Sequence, residues 1–147
     1  MAIWKPFPGE SNENAKVIRS IYMISTWAIA LTWLYHGIVP KLLFMEMGER
    51  RLIEISGLFK GNETLIVYSV GVGQVLLGLA FIFFGGIKKL HYLSILVSLF
   101  LCLGALVIKP EMYTYPFNPA TASFGILALS LIVIKIINHS KSNNENA

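Results

Sequence analysis

The sequence has a single cysteine, no aspartate and few charged residues of either sign. Cys102 alone excludes an internal disulfide, a CxxC redox pair and a thiolate zinc site built by this chain. Only 14% of the 147 residues are charged and 55% are hydrophobic, whereas about a quarter are charged in a typical soluble domain. The net charge of +4 is carried at segment ends, so it does not predict nucleic-acid binding. The chain therefore lacks the composition of a water-soluble globule.

Four long apolar stretches, at about 18–39, 64–87, 90–108 and 120–137, are free of ionised side chains over nearly their whole length. A charge at the bilayer centre costs at least roughly 2.5–3.5 kcal/mol, so such stretches are typical of transmembrane helices. Buried helices of a soluble protein are the alternative, but four of them would leave too little polar surface to cover them. We predict an all-α polytopic membrane protein with four antiparallel transmembrane helices.

These stretches divide the chain into three parts. Residues 1–17 form a polar N-terminal segment, residues 18–137 form the four-helix membrane domain, and residues 138–147 form a tail that we expect to be disordered. If the spans alternate in direction, more Lys and Arg lie on the side of the two termini than on the other side. Because positive residues favour the cytoplasmic side, we expect both termini in the cytoplasm.

The connections differ between the two sides. Residues 85–89 are a short turn that makes the second and third spans antiparallel neighbours. The first outer loop is longer, and within Met45–Phe59 apolar residues recur at helical spacing opposite charged ones. We predict a short amphipathic helix there, lying in the outer membrane interface and ended by Gly57.

Small residues at a spacing of four predict where helices approach each other closely in lipid. Ser69 with Gly73, and Ser94 with Ser98, have this spacing. Cys102 continues the second set, so we interpret it as a small packing residue rather than as a reactive thiol. On the last span, Ala122, Gly125 and Ala128 form a similar narrow face.

The unusual polar residues lie toward the outer ends of the spans. Pro40 predicts that the first helix stops near Val39, which leaves His36 about one turn inside the interface. Gln74 follows Thr64 by about 15 Å of helix, which places it near the midplane. From this we predict that the first, second and fourth spans converge on one outward-opening cleft. The candidate ligand-binding residues are His36, Lys41, Gln74, Asn118, Trp33 and Tyr35.

Each of these residues also has a purely structural interpretation. Gln74 is suited to an interhelical hydrogen bond, and Lys41 is suited to anchoring a helix end at the interface. Asn118 followed by proline is typical of a helix start, with asparagine as the N-cap. His36 fits a backbone-capping role or the aromatic belt of the interface. We assign no residue to catalysis or to a metal site.

Three stretches together resemble the signatures of the DoxX-like family of small four-helix membrane proteins. They are Trp33–Leu43, Gly73–Gly78 and Pro116–Pro119, and the resemblance covers roughly residues 20–135. The resemblance implies a four-helix bundle in the inner (cytoplasmic) membrane of a bacterium. In relatives we expect a glutamate where Gln74 stands, and its replacement removes a protonatable group from the midplane.

The resemblance leaves two functional classes open. We favour a non-catalytic membrane anchor or scaffold subunit, because each polar residue has an adequate structural role. The alternative is a quinone-binding membrane subunit of a redox complex similar to thiosulfate:quinone oxidoreductase, from which the family takes its name. Since the chain has no flavin, haem or iron–sulfur signature, an oxidoreductase partner would have to supply the cofactor. A second copy of the chain is a further candidate partner.

Two other classes are less favoured. A small-molecule transporter is one of them, because the spans lack the charged residues that usually mark a transport path. A thiol oxidant needs paired cysteines, and only one is present.

Overall fold

A computed structural model describes residues 12–45, 48–116 and 118–145. Within these ranges the chain is helical and contains no β-strand, which confirms the predicted all-α class. The described residues form five α-helices: α1 (Asn12–Gly37), α2 (Glu49–Ser56), α3 (Glu63–Phe84), α4 (Lys88–Ile108) and α5 (Pro119–Glu145). Within the same part of the chain, four segments are long and apolar enough to cross a membrane: Glu13–Leu43, Glu63–Phe84, Lys88–Ile108 and Pro119–Ser140.

The first helix does not stop at Pro40. Instead α1 passes into a π-helical turn, Ile38–Leu43, which ends with the Phe44 amide donating to the Val39 carbonyl at 2.9 Å. Proline has no amide hydrogen for the i−4 bond, and widening of the turn keeps the remaining backbone groups paired. The turn places Lys41 on the buried side of the helix.

The predicted outer helix is present but shorter than expected. It occupies Glu49–Ser56 within the predicted range Met45–Phe59, and residues 46 and 47 lie outside the described residues. Gly57 ends it with a φ of 65°, the left-handed conformation that glycine adopts without strain. None of its residues is buried, and Leu58 just beyond it is largely exposed. We call the end of the bundle that carries α2 the outer end and the end at the α3–α4 turn the inner end.

Helix α1 is the centre of the bundle. It packs along α3 on one side and along α5 on the other, and α5 packs in turn along α4. The core where these helices meet is formed by Ile29, Ala30, Trp33, Phe81 and Ile126. The short turn does make α3 and α4 neighbours, but they touch at few points and leave a groove between them.

Contact between α1 and α3 is close because glycines lie at the crossing. A Cβ atom at Gly37 would lie 2.7 Å from the Gly71 carbonyl oxygen and 3.0 Å from the Val75 nitrogen. Similarly, a Cβ at Gly78 would lie 3.0 Å from the Ala30 carbonyl oxygen. We call Gly37, Gly71 and Gly78 the glycine seam. Along it the backbones of α1 and α3 pack directly against each other.

Only part of the small-residue prediction is correct. Ser94 and Ser98 are buried in helix contacts, as predicted. Gly73 and Gly125 were predicted at contact faces, but a Cβ on either would meet no heavy atom within 4 Å. They face outward because the contacts of α3 and α5 run along other stripes of residues.

The first and last helices are longer than the spans predicted from the sequence. Helix α1 begins at Asn12, inside the segment predicted as polar N-terminal chain, and residues 1–11 lie outside the described residues. Helix α5 continues to Glu145, whereas the sequence predicted a disordered tail from residue 138.

Candidate functional site

A groove with a cavity volume of about 500 Å³ lies between α3 and α4. It is bordered by residues from Val70 to Ala80 on α3 and from Leu90 to Leu101 on α4. Ten residues of helix make it about 15 Å long. Its walls are almost wholly apolar, and it opens sideways, toward the hydrocarbon region of the bilayer.

Gln74 is the one polar side chain among the residues that border this groove. It lies on the buried face of α3, between Gly71 and Gly78 of the glycine seam, and only 5% of its surface is exposed. Its Oε1 atom has no hydrogen-bond partner within the described protein. A side-chain amide offers both an acceptor oxygen and a donor nitrogen. The groove is therefore an apolar channel with one amide-bearing residue at its border.

A second polar cluster lies at the outer end of α1. Lys41 is buried, with 7% of its surface exposed, and its Nζ atom lies 2.8 Å from Glu49 Oε1 at the start of α2. His36 is partly buried, edge-on to Tyr35, and close enough to Lys41 and Glu49 for their charges to act on it. The ion pair gives the buried Lys41 ammonium a counter-charge and connects α2 with the end of the first span. In the sequence, Glu49 is one of the charged residues opposite the apolar face of the predicted outer helix, and this pattern does not indicate that it pairs with Lys41.

The remaining candidates occupy structural positions. Trp33 is in the core, and its Nε1 atom donates to Ser94 Oγ at 2.8 Å. Tyr35 is largely exposed on the outer part of α1, where a tyrosine suits the membrane interface. Asn118 caps α5, since its Oδ1 accepts from the amides of Ala120 and Thr121 at 2.9 and 3.3 Å.

The described residues give no test of a single cleft between the first, second and fourth spans. Helices α3 and α5 make at most marginal contact, and the groove that Gln74 borders does not include Asn118, His36 or Lys41 among its lining residues. His36 and Lys41 do come together, and Gln74 borders a different groove, between the second and third spans. Phe117 of the Pro116–Pro119 stretch lies outside the described residues.

Two contacts were missed by sequence reasoning. His91 is fully buried against Phe81, with Nε2 2.9 Å from the Gly85 carbonyl oxygen. The Tyr113 hydroxyl donates to the Cys102 carbonyl and lies 3.3 Å from the Cys102 thiol. Burial, together with the contact to Cys102, raises the pKa of Tyr113 to about 12. Gly85 lies in the turn after α3 and Tyr113 lies in a short 3₁₀ helix, Pro110–Thr114, so no α-helical periodicity indicates either contact.

The cap at Asn118 gives a prediction that separates a structural from a ligand-binding role. Asn118→Ala should lower the free energy of unfolding by about 1 kcal/mol, because the first amides of α5 lose their acceptor. Asn118→Ser should lower it much less, since serine also caps helices. Unfolding measured in detergent micelles would check both values. Equal stability of Asn118→Ala and the parent protein would show that the cap is unimportant.

The comparisons with known proteins agree with the resemblance of the sequence. The model of the DoxX-like family matches residues 30–131, a range that includes the glycine seam, both walls of the groove and the Lys41–Glu49 pair. No curated protein and no solved structure matches the chain.

Proposed function

The chain belongs to the DoxX-like family of membrane proteins, and we propose that it is a non-catalytic membrane subunit that binds a lipid-soluble ligand of the quinone class in the α3–α4 groove. The observation that carries this proposal is Gln74, a residue that borders a long apolar groove and whose buried amide oxygen has no hydrogen-bond partner within the described protein. An unpaired buried acceptor in a hydrocarbon environment is costly, and a ligand that hydrogen-bonds to it removes this cost.

The position of Gln74 along the groove suggests how such a ligand would lie. Gln74 is four residues from Val70, near the outer end, and six residues from Ala80, near the inner end. A head group at Gln74 would leave about 9 Å of apolar groove on the inner side for its isoprenoid tail. Because the groove opens toward the bilayer, the ligand could enter sideways from the lipid phase without crossing water.

Gln74 suits either oxidation state of a quinone. Its amide nitrogen can donate to a quinone carbonyl, and its amide oxygen can accept from a hydroquinone hydroxyl. The chain's own residues bind and orient the head group, while electrons would come from a partner oxidoreductase that carries its own cofactor. Lys41 has no part in this binding, since its charge is matched by Glu49.

We place this subunit in the inner membrane of a bacterium with both termini in the cytoplasm, as the distribution of Lys and Arg predicts. In this orientation Gln74 lies in the outer half of the groove. The head group would then be held near the bilayer midplane, with its tail directed toward the cytoplasmic side.

The direct test is quinone binding by the full-length protein in lipid nanodiscs. The parent protein should bind a short-chain quinone saturably, near one molecule per chain. Gln74→Leu should weaken binding about tenfold, the loss expected for one hydrogen bond of about 1.4 kcal/mol. Ser69→Ala is the matched control, because Ser69 is an exposed residue of the same helix and bonds to its own backbone. Absence of saturable binding, or equal binding by Gln74→Leu, would contradict the proposal.

A second candidate function is a membrane anchor or scaffold without a ligand. It is favoured by the finding that Trp33, Lys41 and Asn118 are all engaged in hydrogen bonds or ion pairs within the chain. For an anchor, Gln74→Leu would leave both quinone content and assembly with the partner unchanged. For a ligand-binding subunit, the same variant would retain the partner but lose the quinone.

A further inference from the structure

The inner half of the bundle contains a second polar feature that the proposed function does not use. His91 in α4 and Ser130 in α5 are both fully buried. The Nδ1 atom of His91 and the Oγ atom of Ser130 have no hydrogen-bond partner within the described protein. Neither residue borders the α3–α4 groove, so this feature is independent of Gln74.

The contact with Gly85 determines which nitrogen of the His91 ring carries the proton and which one accepts a hydrogen bond. His91 Nε2 lies 2.9 Å from the Gly85 carbonyl oxygen, which can only accept a hydrogen bond. In the neutral ring Nε2 therefore carries the proton, and Nδ1 is an acceptor. The Phe81 ring, edge-on at 5.0 Å between centroids, helps to hold this orientation. A buried acceptor of this kind needs a donor.

The register of α4 and α5 places Ser130 opposite His91. Ser123 Oγ donates to the Ser98 carbonyl at 3.5 Å, which fixes one level of this antiparallel pair. Ser130 follows Ser123 by seven residues, and His91 precedes Ser98 by seven residues. These equal distances of about 10.5 Å bring both buried side chains to the same level on facing helices.

A third polar group approaches the same level from α1. Thr26 packs against Gly85 through its methyl carbon Cγ2, and the Gly85 carbonyl binds His91. Thr26 is also buried, and its Oγ1 atom has no hydrogen-bond partner within the described protein, although the Tyr22 hydroxyl is close to it. Polar groups from three helices therefore lie around the end of α3.

We propose that His91, Ser130 and Thr26 form a binding site for one buried water molecule. The water donates to His91 Nδ1, bonds to Ser130 Oγ, and has Thr26 Oγ1 as its third partner. Buried waters typically make about three hydrogen bonds to polar groups that the protein leaves unsatisfied. Such a water links α1, α4 and α5 near the inner end of the bundle and completes the hydrogen bonds of the His91 ring.

Solid-state NMR on the full chain in lipid bilayers, with ¹⁵N-labelled histidine, tests this site. In the parent protein, His91 should show a protonated Nε2 and a non-protonated Nδ1 that receives polarisation from water protons. The signal is assigned by its loss in His91→Gln. A doubly protonated ring, a direct bond from the Ser130 hydroxyl to Nδ1, or an Nδ1 without contact to water would overturn the proposal.

A pair of valine variants makes the test specific to this level of the bundle. Ser130→Val fills the proposed water position and should abolish polarisation transfer from water to His91 Nδ1. Ser123→Val, one heptad away on the same face, should leave the transfer intact. Polarisation transfer from water to His91 Nδ1 that persists in Ser130→Val would also contradict the site. If Ser130→Val does not fold, the measurement on the parent protein alone decides between the outcomes.

Discussion

Gly37→Ala is expected to lower the free energy of unfolding by about 2 kcal/mol or more, one of the two largest effects predicted for this protein. The added methyl group would lie 2.7 Å from the Gly71 carbonyl oxygen and 3.0 Å from the Val75 nitrogen. Both are backbone atoms of α3 that cannot rotate away, so the two helices must separate. Overpacking of this kind typically costs about 1–3 kcal/mol.

The matched control is Gly104→Ala in α4, where a Cβ atom would meet no heavy atom within 4 Å. This variant should be as stable as the parent or more stable by up to about 1 kcal/mol, because alanine favours the helix. Reversible unfolding of both variants in the same detergent gives the comparison. Similar stability of the two variants would mean that the glycine seam is not a close contact.

Glu49→Gln is expected to lower the free energy of unfolding by about 1.5–3 kcal/mol, since it leaves the buried Lys41 ammonium without its counter-charge. The double variant Lys41→Met with Glu49→Leu should recover most of this loss, because no buried charge then remains unpaired. Equilibrium unfolding of the three proteins under one set of conditions measures the difference.

Glu54→Gln is the control for this experiment. Glu54 pairs with Arg50 at 3.2 Å on the exposed face of the same helix, so its removal should cost no more than about 0.5 kcal/mol. If Glu49→Gln lowered the free energy of unfolding as little as Glu54→Gln does, the Lys41–Glu49 pair would contribute no more than an exposed ion pair. It would then not stabilise the contact between α2 and the first span.

The features that the sequence predicted correctly depend on local composition. The four spans could be recognised because exclusion of charge from hydrocarbon is visible residue by residue. The cap at Asn118 and the end of α2 at Gly57 were also predictable, since each depends on the conformational preference of one or two neighbouring residues.

The features that the sequence did not predict depend on how helices face one another. Gly71 lies in the glycine seam, whereas Gly73 faces outward. The sequence alone does not show which of these two neighbouring glycines contacts another helix. A short turn at residues 85–87 requires α3 and α4 to be neighbours at one end but does not determine how far apart they lie along their length. The groove and its contact with Gln74 therefore emerge only from the three-dimensional arrangement.

Photoaffinity labelling with a quinone analogue in lipid nanodiscs tests the central claim, that the α3–α4 groove is the ligand site, most directly. We predict cross-links concentrated on the groove walls, within Val70–Ala80 of α3 and Leu90–Leu101 of α4, that excess unlabelled quinone displaces. Labelling spread evenly over all lipid-facing helices, or concentrated on α5, would contradict the account.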